Sequence, residues 1–488
     1  MLDISFTTTI MKKIILSAFF FSFGIVLNAQ DKEWTLRECI EYALEHNISI
    51  RQSELEKELA EVDKLDAIGN FLPNINASAS NSWNTGLTTN ITTGVLQTQT
   101  TRNFSAGITA SMTLFDGLRN FKQYQRAKMS RLASQYSLEL MKDDIALFVA
   151  NSYLEVLFNK ETVKLLLAQH EVTLEQLERT EDLVEAGSLP EGDLLELRAT
   201  AANEEQSIIV AQNAVRISLI ALAQTLLIED YENFDVVERD YDVIGNEILL
   251  NSVEQIIDRA EDERYEVKVA EQDLDIAEKD VEIARGAYYP TLGAFFNYNT
   301  RESGAGRLRS GGLDPDEPYR QIGFVEGTEE IVVAPNNITE IGNPLPFFEQ
   351  LQLNDGISYG IQLNIPFLNG FATRSNVKRN EIAVEMAEYR LEQTKLDLEA
   401  NVYQAYVDAE GALKAYEAAL VAQEAQELAY DYATERYNVG LTNAFDFSQA
   451  TFNLANARSE VIRAKFDYIF KLKVLELYFG VPVAELKF

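Results

Sequence analysis

Four short stretches of strictly alternating chemistry constrain this chain more than any other feature. In the first, Ile75, Ala77, Ala79 and Trp83 alternate with Asn74, Asn76, Ser78, Ser80 and Ser82. In the second, Phe104, Ala106, Ile108, Ala110, Met112 and Leu114 alternate with Ser105, Gly107, Thr109, Ser111 and Thr113. The third sets Leu292, Ala294, Phe296 and Tyr298 against Thr291, Gly293, Asn297 and Asn299, with Phe295 out of phase. The fourth sets Ile357, Tyr359, Ile361, Leu363, Ile365 and Phe367 against Ser358, Gly360, Gln362 and Asn364. A period of two predicts strands with two different faces. Residues 75–82, 105–114, 291–299 and 357–367 contain no Asp, Glu, Lys or Arg.

Such a strand has two homes. It covers a protein core with water outside, or it faces lipid outside and a wet lumen inside. Length favours the second, since about ten residues suffice for a tilted strand to cross a bilayer. The connections favour it too: a polar loop of 17 residues (86–102) and one of about 56 (300–355) exceed ordinary hairpin loops. Four strands cannot close a barrel, and open edges are not tolerated in lipid. The chain is therefore expected to oligomerise. Two copies make eight strands, a barrel filled by side chains; three make twelve, wide enough for a channel, which the uncharged polar faces suit better. The contrasting expectation is an exported coiled-coil scaffold or adhesin whose hairpins pack a soluble core.

The rest of the chain is a duplication. An offset of 253 pairs Gly117 with Gly370, Tyr136 with Tyr389, Val149 with Val402, Gly187 with Gly440 and Asp193 with Asp446. A second offset of 217 pairs Ala43 with Ala260, Glu54 with Glu271 and Pro73 with Pro290, so an insertion of 36 residues lies between Pro290 and Gly370. Helical periodicity predicts a helix over 36–68 and again over 253–285 before each strand pair. After each pair it predicts a very long helix, 118–186 and 371–439, about 100 Å at ~1.5 Å per residue. A seven-residue stripe in the first (Val149, Val156, Val163, His170, Leu177, Val184) predicts coiled-coil packing. In the second, Ala405, Ala412, Ala419 and Ala433 permit close approach of neighbours. Gly187 and Gly440 are helix stops, and return helices are expected to begin at Asp193 and Asp446, where an acid suits the positive end.

At the N-terminus, Met11-Lys12-Lys13, an apolar run to Leu27 and Leu27-Asn28-Ala29 predict a signal peptide over 1–29, with 1–10 an upstream extension. The run is short for a membrane anchor, and no later stretch is expected to form a spanning helix. The chain has 77 Asp plus Glu against 42 Lys plus Arg, a net charge of −35, which disfavours nucleic acid. One Cys and two His leave no disulfide framework and no thiolate or imidazole metal cluster. No metal or cofactor is expected. Cys39 falls on an apolar helical stripe and is expected to be buried, and His170 to be a tolerated seam residue. No nucleophile constellation or phosphate-binding loop appears, and no enzyme activity is expected.

The chain resembles the TolC-type outer-membrane efflux proteins over essentially its whole mature length. The resemblance rests on Trp34-Thr35-Leu36 leading to Ala43-Leu44-Glu45-His46-Asn47, on Phe71-Leu72-Pro73 entering the first strand, and on Leu114-Phe115-Asp116-Gly117 and Pro366-Phe367-Leu368-Asn369-Gly370 leaving the hairpins. It implies an α+β membrane protein: a homotrimer whose 12-stranded transmembrane β-barrel, four strands per copy, is continued by a coiled-coil α-helical periplasmic barrel. The organisation is then a first repeat over 30–228 with hairpin 73–114, an acidic connector over 229–251, a second repeat over 252–480 with hairpin 290–367, and a tail, 481–488. The implied activity is passive export across the outer membrane in a tripartite efflux or type I secretion system. The implied partners are outer-membrane lipid, a periplasmic adaptor and an inner-membrane pump of the RND, ABC or MFS type.

The same resemblance locates the working residues. Gly187, Ser188 and Leu189, with Gly440, Leu441 and Thr442, would meet the adaptor. Asp446 matches the acid of a periplasmic constriction, Gln449 stands where some relatives carry a second acid, and Asp193 and Glu196 are placed to supply the missing charge. For Asp193 and Asp446 the simpler reading, acids at a helix start, stays open. So do two roles for the 300–355 loop with Arg301, Arg307, Arg309 and Arg320: a plug of the outer mouth, or a surface epitope.

Overall fold

The computed structural model describes residues 32–89, 95–238 and 246–481. The expected signal peptide and nearly all of the tail lie outside the described residues. In chain order the elements are β1 (Glu33–Trp34), α1 (Leu36–His46), α2 (Ile48–Gly69), β2 (Asn74–Thr89), β3 (Leu96–Phe115), α3 (Arg119–Glu185) and α4 (Glu191–Leu226). After β4 (Asp235–Val236) and a 3-10 turn (Asn246–Leu250) come α5 (Val253–Glu263), α6 (Tyr265–Gly286) and β5 (Thr291–Ser303). Then follow β6 (Arg307–Leu313), β7 (Tyr319–Phe324), β8 (Ile331–Pro335), β9 (Asn337–Gly342), α7 (Phe347–Leu353), β10 (Gly356–Asn364), α8 (Ala372–Asn438) and α9 (Ala444–Tyr478). The two offsets recur in the elements: α1 and α2 match α5 and α6 in length and spacing, and α3 and α8 both have 67 residues.

Each expected first helix is in fact two. The break falls at Asn47 and at its repeat equivalent Arg264, where ψ swings to 135° and 134° while the backbone N–H still closes the preceding turn on Ala43 and Ala260. The Asn47 side chain holds the break, donating to the Thr225 carbonyl of α4 and accepting from the Ser49 N–H at the start of α2. Both short helices open with a capping box, Thr35 with Glu38 and Ser252 with Gln255.

Contacts divide the chain into two compact units. One comprises residues 1–59, 132–273 and 388–488, and its described residues are helical apart from the β1–β4 pair and connections. Its two main cores are repeat equivalents: Cys39, Ala43, Val149, Tyr153, Leu222 and Leu226 in one, Ile256, Ala260, Val402, Ala409, Leu472 and Leu475 in the other. The connector is more than a spacer. Asp235–Val236 pairs in parallel with Glu33–Trp34, Phe234 and Val236 are buried, and the Tyr153 hydroxyl donates to the Val237 carbonyl at 2.9 Å. The seven-residue stripe is buried at Val149 and Val156 but only half-buried at Val163, His170, Leu177 and Val184. Beyond residue 160 Gln169, Thr173 and Thr180 take the inner positions.

The other unit, 60–131 and 274–387, holds a four-stranded antiparallel sheet in the order β10-β5-β3-β2. The strands outrun the sequence expectation: β2 and β3 pair as far as Thr89 with Leu96, so the loop expected over 86–102 is mostly ladder. The 300–355 segment is also ordered, as the two ribbons β6–β9 and β7–β8 and the short helix α7. At the other end β10 stops at Asn364, short of Phe367, ahead of Pro366, which cannot donate to a ladder.

Candidate functional site

The first candidate surface is the sheet. Directly paired residues share a face, and the register (Ile75 with Ala110, Ala77 with Ile108, Ile108 with Tyr298, Tyr298 with Ile357) puts all four apolar rows on the same side. That side is bare: Ile75, Ile357, Ile361 and Leu363 are exposed, Ile361 by 67%. The other side carries the Ser, Thr and Asn rows together with Phe295, whose ring lies over Gly360 of the neighbouring strand. Trp83 stands exposed at one end of the apolar face, and Phe71, Leu72 and Phe115 at the other. Both edge strands, β2 and β10, have a partner on one flank only.

The second candidate surface is the pair of helical hairpin tips. Each long helix ends in the same cap. Ser188 N–H bonds the Leu183 carbonyl and Gly187 N–H that of Val184; Leu441 bonds Arg436 and Gly440 bonds Tyr437 in the same pattern. Gly187 and Gly440 have φ of 71° and 74°, with open space where a Cβ would stand, so the requirement for glycine is conformational. The tips pack on each other through Leu197, Tyr437, Ala444 and Phe447, with Tyr437 stacked on Phe447 at 5.1 Å and the buried Thr180 hydroxyl 3.1 Å from that of Tyr437. Arg179 bonds Asn438, and Arg198 pairs with Glu181.

The return helices start two residues earlier than expected, at Glu191 and Ala444, which makes Asp193 and Asp446 third-position residues and not caps. The first helix has Pro190 at its cap position and no side-chain cap. The second is capped by Asn443, whose side chain accepts from the Asp446 N–H, and Thr442 donates its hydroxyl to the Asp446 carboxylate at 2.8 Å. Asp446, Glu196 and Gln449 are exposed and Asp193 half-exposed. The four are not gathered in one place: Glu196 and Gln449 line a cavity of about 510 Å³ formed by α3, α4 and α9, whose lining includes neither Asp193 nor Asp446.

That cavity contains groups which residue spacing did not single out. Glu204 accepts from Thr173 at 3.0 Å and faces His170 Nδ1 at 3.3 Å, and burial above all raises its pKa. His170, a polar break in an apolar stripe, was the one visible signal of it. A second cluster sits at the α5–α6 break, where buried Arg264 pairs with Glu266 and Asp143. Burial outweighs the guanidinium there and pushes Asp143 up to about 6. The Cys39 thiol is fully buried and raised to about 12, mainly by burial. Among the described residues no group of three or more His, Cys, Asp or Glu is placed to hold a metal ion. Against expectation, one helix among the described residues, Glu191–Leu226, is long and apolar enough to cross a membrane by length and composition. It is the return helix, with Leu222, Ala223 and Leu226 in the core and Ile209, Val210 and Ile217 exposed.

The model of the outer membrane efflux protein family matches residues 39–226 and 256–480. Among solved structures, CusC, described in terms of transmembrane channel formation, is similar with a TM-score of 0.71 and 16% identity, over 91% of each chain. The CmeC outer membrane channel of Campylobacter jejuni is similar with a TM-score of 0.70 and 17% identity, over 91% of this chain and 85% of that one. The outer membrane protein VceC of Vibrio cholerae gives 0.70 and 15%, over 91% and 96%. Among curated protein sequences, none matches.

Proposed function

The chain belongs to the outer membrane efflux protein family, and on that footing we propose that three copies close their four-stranded sheets into one 12-stranded barrel that serves as a passive duct. The protein is an outer-membrane efflux channel with periplasmic helices, in a family of channels and not of enzymes. The bare apolar face of an open sheet carries the trimer reading. In water that face would cost about 25 cal/mol for every Å² of apolar surface left exposed, and unpaired edges within lipid cost several kcal/mol per group. Pairing β10 of one copy with β2 of the next removes every edge, turns the Ile and Tyr rows to lipid and gathers the Ser, Thr and Asn rows around water. Ile209, Val210 and Ile217 on the return helix then find cover against a neighbouring copy.

The duct performs no bond chemistry and takes its direction from partners. The tips Gly187-Ser188-Leu189 and Gly440-Leu441-Thr442 are the docking points for a periplasmic adaptor, which links the duct to an inner-membrane pump. Asp446, Asp193 and Glu196, repeated by threefold symmetry, form acidic rings at the periplasmic end, with Gln449 adding a polar, uncharged position. Carboxylates about 10 Å apart repel by only ~0.4 kcal/mol in water, so such rings attract cations and stay ionised.

Two measurements test this reading. The protein should be recovered in the outer-membrane fraction as a heat-sensitive trimer and conduct in planar bilayers; a soluble monomer refutes it. Asp193→Asn with Asp446→Asn should lower cation selectivity in single-channel recordings. Unchanged selectivity assigns both acids to the helix starts alone.

A further inference from the structure

The long connection between β5 and β10, where the insertion of the second repeat falls, contains α7, and α7 packs on an unexpected side of the sheet. Thr300 and Glu302 of β5 continue the row of Phe296 and Tyr298, and Phe104 of β3 pairs with Glu302, so all three point to the apolar face. Helix α7 lies on these residues. The Thr300 hydroxyl donates to the Leu351 carbonyl at 2.6 Å, and Phe104 meets the Phe347 ring edge-on at 5.1 Å. The Gln350 side chain, buried, bonds both the N–H and the carbonyl of Ser303. Beneath the helix Glu302 is 4% exposed; one carboxylate oxygen pairs with Arg102 at 2.9 Å and the other has no partner. The Arg102 guanidinium stands 5.4 Å from the Phe347 ring, and Arg102 pairs in register with Trp83.

On the outward side of α7, Phe348 and Leu353 are 76% and 64% exposed and flank the exposed polar residues Glu349 and Gln352. The helix sits over the central strands β3 and β5, not over the edges through which copies would join, so a neighbouring copy is badly placed to cover it. It is continuous with the apolar face, at the level of Trp83 and at the end of the sheet remote from α2 and α3. We propose that α7 is an interfacial lipid anchor: it lies in the headgroup region of the outer leaflet, turns Phe348 and Leu353 towards the upper acyl segments, and covers the Glu302 carboxylate, which Arg102 pairs with from a half-exposed position. Aromatic and amphipathic groups favour that depth, and an ion pair at the rim of the apolar band needs protein cover more than one in water does. This rests on the barrel reading above, because only a lipid-facing sheet puts α7 beside lipid. It also takes α7 away from the lumen, against a plug formed by that helix.

The test is nitroxide accessibility on the full-length protein reconstituted in vesicles of phosphatidylethanolamine and phosphatidylglycerol. Phe348→Cys and Leu353→Cys are labelled separately, with Ile361→Cys as a mid-sheet reference and the parent chain, whose Cys39 is buried, as the labelling control. At 348 and 353, oxygen should relax the label several-fold more than a water-soluble nickel chelate does, with a smaller ratio than at 361. A chelate-dominated signal at both sites places α7 in water and overturns the proposal. Weak relaxation by both agents places it under protein and overturns it too. If 361 itself reads as aqueous, the barrel reading fails; if 361 reads as lipid, the results at 348 and 353 judge the anchor alone.

Discussion

The buried hydroxyl pair Thr180–Tyr437 ties the hairpin tip of the first repeat to that of the second, and its energetics follow from what each deletion leaves behind. The oxygens are 3.1 Å apart, Thr180 is fully buried and Tyr437 is 6% exposed. Tyr437→Phe leaves the Thr180 hydroxyl, which lies inside α3 near its end and can turn back to the carbonyl four residues earlier. Its cost should be that of an ordinary hydrogen bond, about 1 kcal/mol. Thr180→Val keeps the shape but strands the Tyr437 phenol OH within the tip, and should cost about 1–3 kcal/mol. The double variant has no stranded group. Its cost should fall below the sum of the singles by about 1 kcal/mol, a coupling of the size expected for contacting residues. Native-state hydrogen exchange of amides around Thr180 and Tyr437 reads local opening directly, about tenfold in exchange rate per 1.4 kcal/mol. Single costs that add to within about 0.3 kcal/mol would show that the two hydroxyls do not interact, and the reasoning would be wrong.

Two further outcomes are expected. Gly440→Ala should destabilise the tip by about 1–2 kcal/mol because its φ of 74° is left-handed, while Gly440→Asn should cost less; equal costs in thermal melts would point to crowding instead. Asp143 has a native pKa of about 6, above the usual 3.8, so the native state binds the proton more tightly than the unfolded chain does. Its charge therefore opposes folding above pH 6, and the opposition fades as pH falls from 6 towards 4. A rise from 3.8 to about 6 corresponds to about 3 kcal/mol, which partial exposure to water reduces to roughly 1 kcal/mol. Asp143→Asn should then stabilise the protein at pH 8 and match the parent at pH 4; a gain that is the same at both would reject the ionisation account.

Much of the architecture was legible because it is repetitive. The two offsets, 217 and 253, appear in the sequence as matched residues and in the structure as matched helix lengths. Period two marked all four strands of the sheet, and Gly187 and Gly440 marked the ends of the long helices. The breaks at Asn47 and Arg264 were hidden because a single extended residue hardly disturbs a helical stripe. The acids were visible as types but not as a constellation. Asp193 and Glu196 are three residues apart, yet only Glu196 lines the cavity with Gln449, because the opposite wall comes from a helix some 250 residues away.

The sequence by itself determined that this chain has two like halves, four strands with an uncharged polar face and an apolar one, and hence a sheet that cannot stand alone in water or close alone in lipid. Those properties follow from periodicity, which any local stretch displays. Only the tertiary structure decided that the four apolar rows share one side and that the long hairpin loop is mostly ladder. It also decided that the long connection of the second repeat lays a helix on that apolar side, over the buried Glu302 carboxylate. Register and packing join residues hundreds of positions apart, such as Phe104 with Glu302 and Phe347, and no local pattern carries that information.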